Sequence, residues 1–202
     1  AFAADPHSVA SLGRASLSAS LTLRDVQTEA QSCFHTSASA VIAAAWGTVL
    51  YMYLRHECEC VVFDGVRGQD TVSIPVGPTM CDMHNPSSLV EHIKCAWSGA
   101  SANITGPTLF FDALHDPESV AFARVETVLR AHPEVTLACI AYVNADGLIT
   151  LSLLASPSVH VHGSAKTQLE QMCEALWAIL EHRDPMTMPL HLTSLALSLI
   201  HI

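Results

Sequence analysis

The chain has 202 residues, half of them hydrophobic and 14% charged, with a net charge of −10 from 9 basic and 19 acidic side chains. That length suits one domain, and the apolar share excludes an intrinsically disordered chain. The acidic balance repels phosphate backbones, so no nucleic acid is expected as partner; no apolar run reaches the ~18 residues that span a bilayer, so no membrane is expected either.

Residues 1–20 are rich in Ala and Ser, weakly patterned, and read as a lead-in segment. A short helix is expected over 21–32, with Thr22 as its cap and Asp25 in its first turn. Ser37 then caps a long helix over 39–55. There Val41, Ala45, Val49 and Met52 share one stripe, flanked by Ile42, Trp46 and Tyr53. His56, Glu57, Cys58 and Glu59 make a polar turn. The β-branched run 60–66 suits a central strand. Gly68, Gln69 and Asp70 form a turn, and 74–78 a stiff connection, because Pro75 and Pro78 prevent helix.

Helical spacing returns over 86–97, where Leu89, His92 with Ile93, and Ala96 with Trp97 share a face. Residues 98–107 form a loop of small residues. A strand over 108–114 ends at His115, Asp116 and Pro117. A short helix over 118–132 runs through Ala121, Val125, Val128 and Leu129. A strand over 135–143 turns at Asn144, Ala145, Asp146 and Gly147, a strong hairpin signal, and pairs back over 148–155. The last clear helix covers 164–183 through Leu169, Met172, Cys173, Leu176, Trp177 and Leu180. Pro185 and Pro189 stop it, and 190–202 is an apolar tail or a linker to a following domain. The order predicts one α/β (α+β) domain over 21–189, a mixed sheet covered by helices.

The seven cysteines are odd in number and form no CxxC pair, and the first residues lack a basic start followed by an apolar core. Both features read as free thiols in the reducing cytoplasm. Cys139 and Cys173 fall on apolar faces and read as core thiols. His160 and His162 share one face of an extended segment, but no third zinc ligand accompanies them, so loop histidines are the plainer reading. The run from His56 to Cys60, and Cys81-Asp82-Met83-His84, mix ligand types without a partner pair and read as loops. Gly99-Ala100-Ser101-Ala102 lacks the second glycine of a nucleophile elbow. Gly65-Val66-Arg67-Gly68 has too few glycines to cradle a phosphate. Trp46 and Trp97 read as core. Asp64 interrupts a buried strand, as a paired core carboxylate or as an interface group. No catalytic, metal or cofactor-binding residue is assigned.

Four stretches, in order, resemble one family. They are the helix around Ala44-Ala45-Trp46, the strand from Val61 to Gly68, the segment Val76-Gly77-Pro78-Thr79-Met80, and the closing hairpin at Asp146-Gly147 with the helix after Gly163. Together they are similar to the C-terminal lobe of nonribosomal peptide synthetase condensation domains, the third stretch especially to its fungal form. The likeness covers roughly 21–181. It implies a single chloramphenicol acetyltransferase-like lobe, one of two that enclose an active site and a tunnel for a carrier protein's phosphopantetheine arm.

The family's His-His-x-x-x-Asp-Gly motif belongs to the other lobe, and no adjacent His pair exists here. Gln69 stands where the family has Arg, and 98–108 replaces a longer loop. Two readings follow. One is a truncated, non-catalytic condensation lobe that docks or scaffolds the carrier or adenylation domains of a secondary-metabolism synthetase. The other is part of an acyltransferase whose active site needs a second lobe or subunit. The resemblance implies no directly bound cofactor, only the phosphopantetheine arm of a partner carrier. It places Asp64, Gly68, Gln69, Val76, Gly77, Pro78, Thr79 and Met80 near the lobe junction as interaction residues. A lone lobe would expose the face its partner covers, so self-association or binding to such a domain is expected.

Overall fold

The computed structural model describes residues 13–54, 59–77, 86–99, 103–155 and 165–181. Within them lie six strands: β1 (Gly13–Thr22), β2 (Val61–Arg67), β3 (Asp70–Val76), β4 (Thr108–Ala113), β5 (Leu137–Val143) and β6 (Leu148–Ala155). They make one sheet in the order β1-β6-β5-β4-β2-β3. Strands β2, β4 and β5 are parallel, and the other pairings are antiparallel. The described helices are α1 (Leu23–Phe34), α2 (Ala38–Leu54), α3 (Pro86–Trp97), α4 (Glu118–Ala131) and α5 (Ala165–Leu180). This is the mixed, helix-covered α/β sheet expected from the sequence.

Alternation along the strands sends side chains to two apolar layers. Phe63, Ile74, Phe110, Cys139 and Leu151 meet α2, α3 and α5 on one face, around Trp46, Val90 and Leu176. Val66, Leu109, Phe111, Ile140 and Tyr142 point to the other face, under Ala121, Val125 and Leu129 of α4.

Local signals set the helix starts. Thr22 caps α1 by accepting the Asp25 N–H at 3.1 Å, and Ser37 Oγ accepts the Ala40 N–H at 3.4 Å before α2. Helix α2 is buried all round from Ala38 to Tyr51, not along one stripe. Its sequence is apolar on every face, which is the composition of a central core helix packed against α1, α3, α5 and the sheet. No single described helix is long and apolar enough to cross a membrane; α1 and α2 pass such a test only as a pair bent by 86°.

Two segments depart from expectation. Gly13–Thr22, read as lead-in and helix start, is the edge strand β1, paired with β6. Ala15, Leu17, Ala19 and Leu21 alternate with Arg14, Ser16, Ser18 and Ser20, but Ala and Ser are weak strand formers and mask that period. The stretch read as a stiff connection lies largely in strand β3. Pro75 is tolerated there because β3 is an edge strand, where one missing N–H need not break a ladder. The carbonyl of Pro75 instead bonds His92 Nε2 of α3 at 2.8 Å.

Candidate functional site

The parallel strands β2, β4 and β5 end together on one edge of the sheet, at Arg67, Ala113 and Val143. The turns that follow them form the most functional-looking surface described. Gly68 has φ +64°, which a two-residue hairpin closed by the Arg67–Asp70 pair requires. From α4, Arg124 donates from Nη2 to the Gly68 carbonyl at 2.6 Å, while its Nη1 pairs with Asp116 Oδ2. Its guanidinium carbon lies 5.2 Å from the centre of the Phe111 ring. One cation thus holds the hairpin tip to the turn between β4 and α4.

Beside this clamp is an open groove of about 640 Å³, lined in part by Arg14, Ser119, Phe122, Val143 and Asn144. Arg14 of β1 lies 3.7 Å above the Phe122 ring and pairs with Glu118 at 3.2 Å. The Tyr142 hydroxyl donates to the same carboxylate at 3.5 Å. Asn144 Oδ1 accepts the N–H groups of Asp146 and Leu148 at 3.0 Å each, so it braces its own turn. The groove therefore offers an ion pair over an aromatic floor.

The structure divides the predicted interaction residues. Gly68 and Gln69 are exposed at the hairpin tip. Asp64 and Val76 are 0% exposed and Gly77 is buried, so the side chains of Asp64 and Val76 offer no contact surface. Asp64 is instead the core carboxylate. Its Oδ1 accepts Ser73 Oγ at 2.5 Å, and its Oδ2 accepts the N–H groups of Thr105 and Gly106 at 2.8 and 2.7 Å. Pro78, Thr79 and Met80 lie outside the described residues, as do His56 to Cys58, Cys81 to His84, Ser101, His160, His162 and the tail 190–202.

Sequence reasoning passed over Arg14 and Arg124. The available signal was that basic side chains are scarce, 9 against 19 acids, while Asp116-Pro117-Glu118 brings two acids to the start of α4. Among the described residues no three His, Cys, Asp or Glu side chains converge as a metal site. Burial pushes the Cys139 thiol well above its ordinary range. Burial first, then the charges of Glu170 and Glu174, push Cys173 up to about 11. Both thiols are protonated near neutral pH; Cys139 is the core thiol expected, whereas Cys173 is only partly buried at the margin of the core. The large hydrophobic residues exposed in the described parts are Val62, Val120 and Trp177, one each on β2, α4 and α5.

No protein-family profile matches the sequence, and no curated protein matches it. Solved structures do match the fold. A four-domain nonribosomal peptide synthetase, holo-AB3403 bound to AMP and glycine, superposes with a TM-score of 0.63 at 9% identity, over 88% of this chain and 17% of that one. The condensation domain of the Monacolin K polyketide synthase MokA gives 0.60 at 7% identity, over 85% of this chain and 48% of its own. The first condensation domain of the CDA synthetase gives 0.59 at 11% identity, over 89% and 48%. The chain thus spans about half the length of the condensation domains it matches. Identities this low show the fold alone: a single chloramphenicol acetyltransferase-like lobe of the condensation-domain type.

Proposed function

We propose that this chain is a non-catalytic condensation-type lobe of a nonribosomal peptide synthetase, acting in the cytoplasm as a docking or scaffolding module for carrier or adenylation domains. The observation behind it is a pairing of fold and sequence. The lobe matches a four-domain synthetase over 88% of its length, yet no adjacent His pair occurs anywhere in the chain. Condensation needs a positioned histidine at the attacking amine, as base or as electrostatic support. The exposed Gly68–Gln69 tip, held rigid by Arg124, is the contact surface this reading favours. A phosphopantetheine arm is brought by the carrier and not held as a resident group.

The test is peptide-bond formation. The chain is mixed with donor and acceptor carrier proteins loaded with aminoacyl groups, and the acceptor is read by mass spectrometry. No dipeptide above a heat-inactivated control is expected. Dipeptide formation by this chain alone would instead support the acyltransferase reading.

A further inference from the structure

Helix α5 carries the exposed one of the three tryptophans. Trp46 and Trp97 are 1% and 7% exposed, whereas Trp177 keeps 38% of its surface in water. The helix is amphipathic: Leu169, Met172, Leu176 and Ile179 enter the core, and the helix packs on α2 and β1. On the opposite face, Glu170, Glu174 and Trp177 follow one another at i, i+4 and i+7, so they form one stripe. Both carboxylates also act on the Cys173 thiol between them. Lys166 lies 3.8 Å from Glu170, at the end of the stripe away from Trp177.

A tryptophan on a solvated helix face exposes a large rigid apolar ring, the residue type that anchors protein contacts. Carboxylates beside it set the sign of what it attracts. An indole face binds guanidinium and ammonium groups, and the flanking acids add direct ion pairing. We propose that this face of α5 docks a basic partner segment, with one Arg or Lys stacked on Trp177 and paired with Glu174 a turn away, and a second basic residue that shares Glu170 with Lys166. Charge selects the occupant. On this face the carboxylates of Glu170 and Glu174, in a chain of net charge −10, favour a cationic segment over an acidic one. The inference stands apart from the condensation-lobe reading, because it uses only the surface of α5.

The test uses an Arg-rich helical peptide as probe. Because the other two tryptophans are buried, a change in intrinsic fluorescence on titration reports Trp177. Saturable binding is expected, measured in parallel by calorimetry. Trp177→Ala, and separately the pair Glu170→Lys and Glu174→Lys, should each weaken it about tenfold. The same two-charge reversal at exposed Glu91 and Glu126, on α3 and α4, should leave affinity within about twofold. Circular dichroism checks the fold of each variant, and the charge pair keeps the test decisive if Trp177→Ala unfolds. Absence of binding overturns the proposal. So does equal weakening by the control reversal, which would show attraction to net charge alone.

Discussion

The buried carboxylate of Asp64 accepts the Gly106 N–H at 2.7 Å and so ties strand β2 to the loop that enters β4. The same oxygen takes the Thr105 N–H, and its partner oxygen takes Ser73 of β3. One side chain of β2 therefore supplies the acceptors for a neighbouring strand and a loop. Its three partners are all uncharged donors, so hydrogen bonding rather than ion pairing satisfies it.

Asp64→Ala is expected to cost about 3 kcal/mol or more, because several donors lose their acceptor and each orphaned group costs about 1–3 kcal/mol. Urea unfolding measures the loss, and amide exchange at Thr105 and Gly106 should accelerate with it. Asp64→Asn keeps one acceptor oxygen and should fall between. An Ala variant as stable as the parent would show that the clasp holds nothing.

Arg124→Ala should act locally. The guanidinium and its Asp116 partner are partly exposed, so a global loss of only about 1 kcal/mol is expected. Exchange at Gly68 and Gln69 should quicken while Thr105 and Gly106 stay protected. Arg124→Lys should not restore the tip, since one ammonium cannot reach both acceptors with the geometry of a fork. Equal loosening at both places would contradict two separate fasteners.

Gly65 is fixed by close approach. A Cβ there would lie 3.0 Å from two carbons of the Trp97 ring and 3.3 Å from Ile74 Cδ1. Trp97 is itself held edge-on against Phe110, with ring centres 5.8 Å apart. Gly65→Ala should therefore destabilise by about 1–3 kcal/mol through overpacking. A lower thermal midpoint with altered near-ultraviolet dichroism is the expected sign, and an unchanged midpoint would show that Trp97 yields freely.

Cys173 makes stability depend on alkaline pH. Its thiol is raised from an ordinary 9.0 to about 11 in the folded chain. Between those values the unfolded chain has lost the proton that the native state keeps, so stability is full below 9 and falls as pH rises toward 11. Cys139, also raised, acts in the same direction. Cys173→Ala should flatten part of the decline in urea midpoints from pH 8.5 to 10.5, and adding Cys139→Ala should flatten more of it. An identical decline in the double variant would remove the thiols as its cause.

Legibility in the sequence followed range. Thr22 before Asp25, and Asn144 before Gly147, announce α1 and the β5–β6 hairpin because cap and turn chemistry acts within four residues. Strand β1 was hidden by its small side chains, and β3 by Pro75, which signals an edge strand as readily as a break. Asp64 stood out as a charge in an apolar run, but its partners lie 41 and 42 residues away. Arg124 reaches Gly68 across 56 residues. No local pattern encodes such pairings; they exist once the sheet order places β2 beside β4.

The most direct test of a docking role is sedimentation velocity of the chain alone, then with a holo carrier protein, then with an adenylation domain of a nonribosomal peptide synthetase. The same run separates self-association from partner binding. A saturable one-to-one complex with at least one of the two domains is predicted, weakened by substitution of Gln69 with Glu at the exposed hairpin tip. Sedimentation of the chain as an unaltered species at every concentration of both domains, up to about 100 µM, would leave less than about 5.5 kcal/mol of binding free energy and would contradict the account.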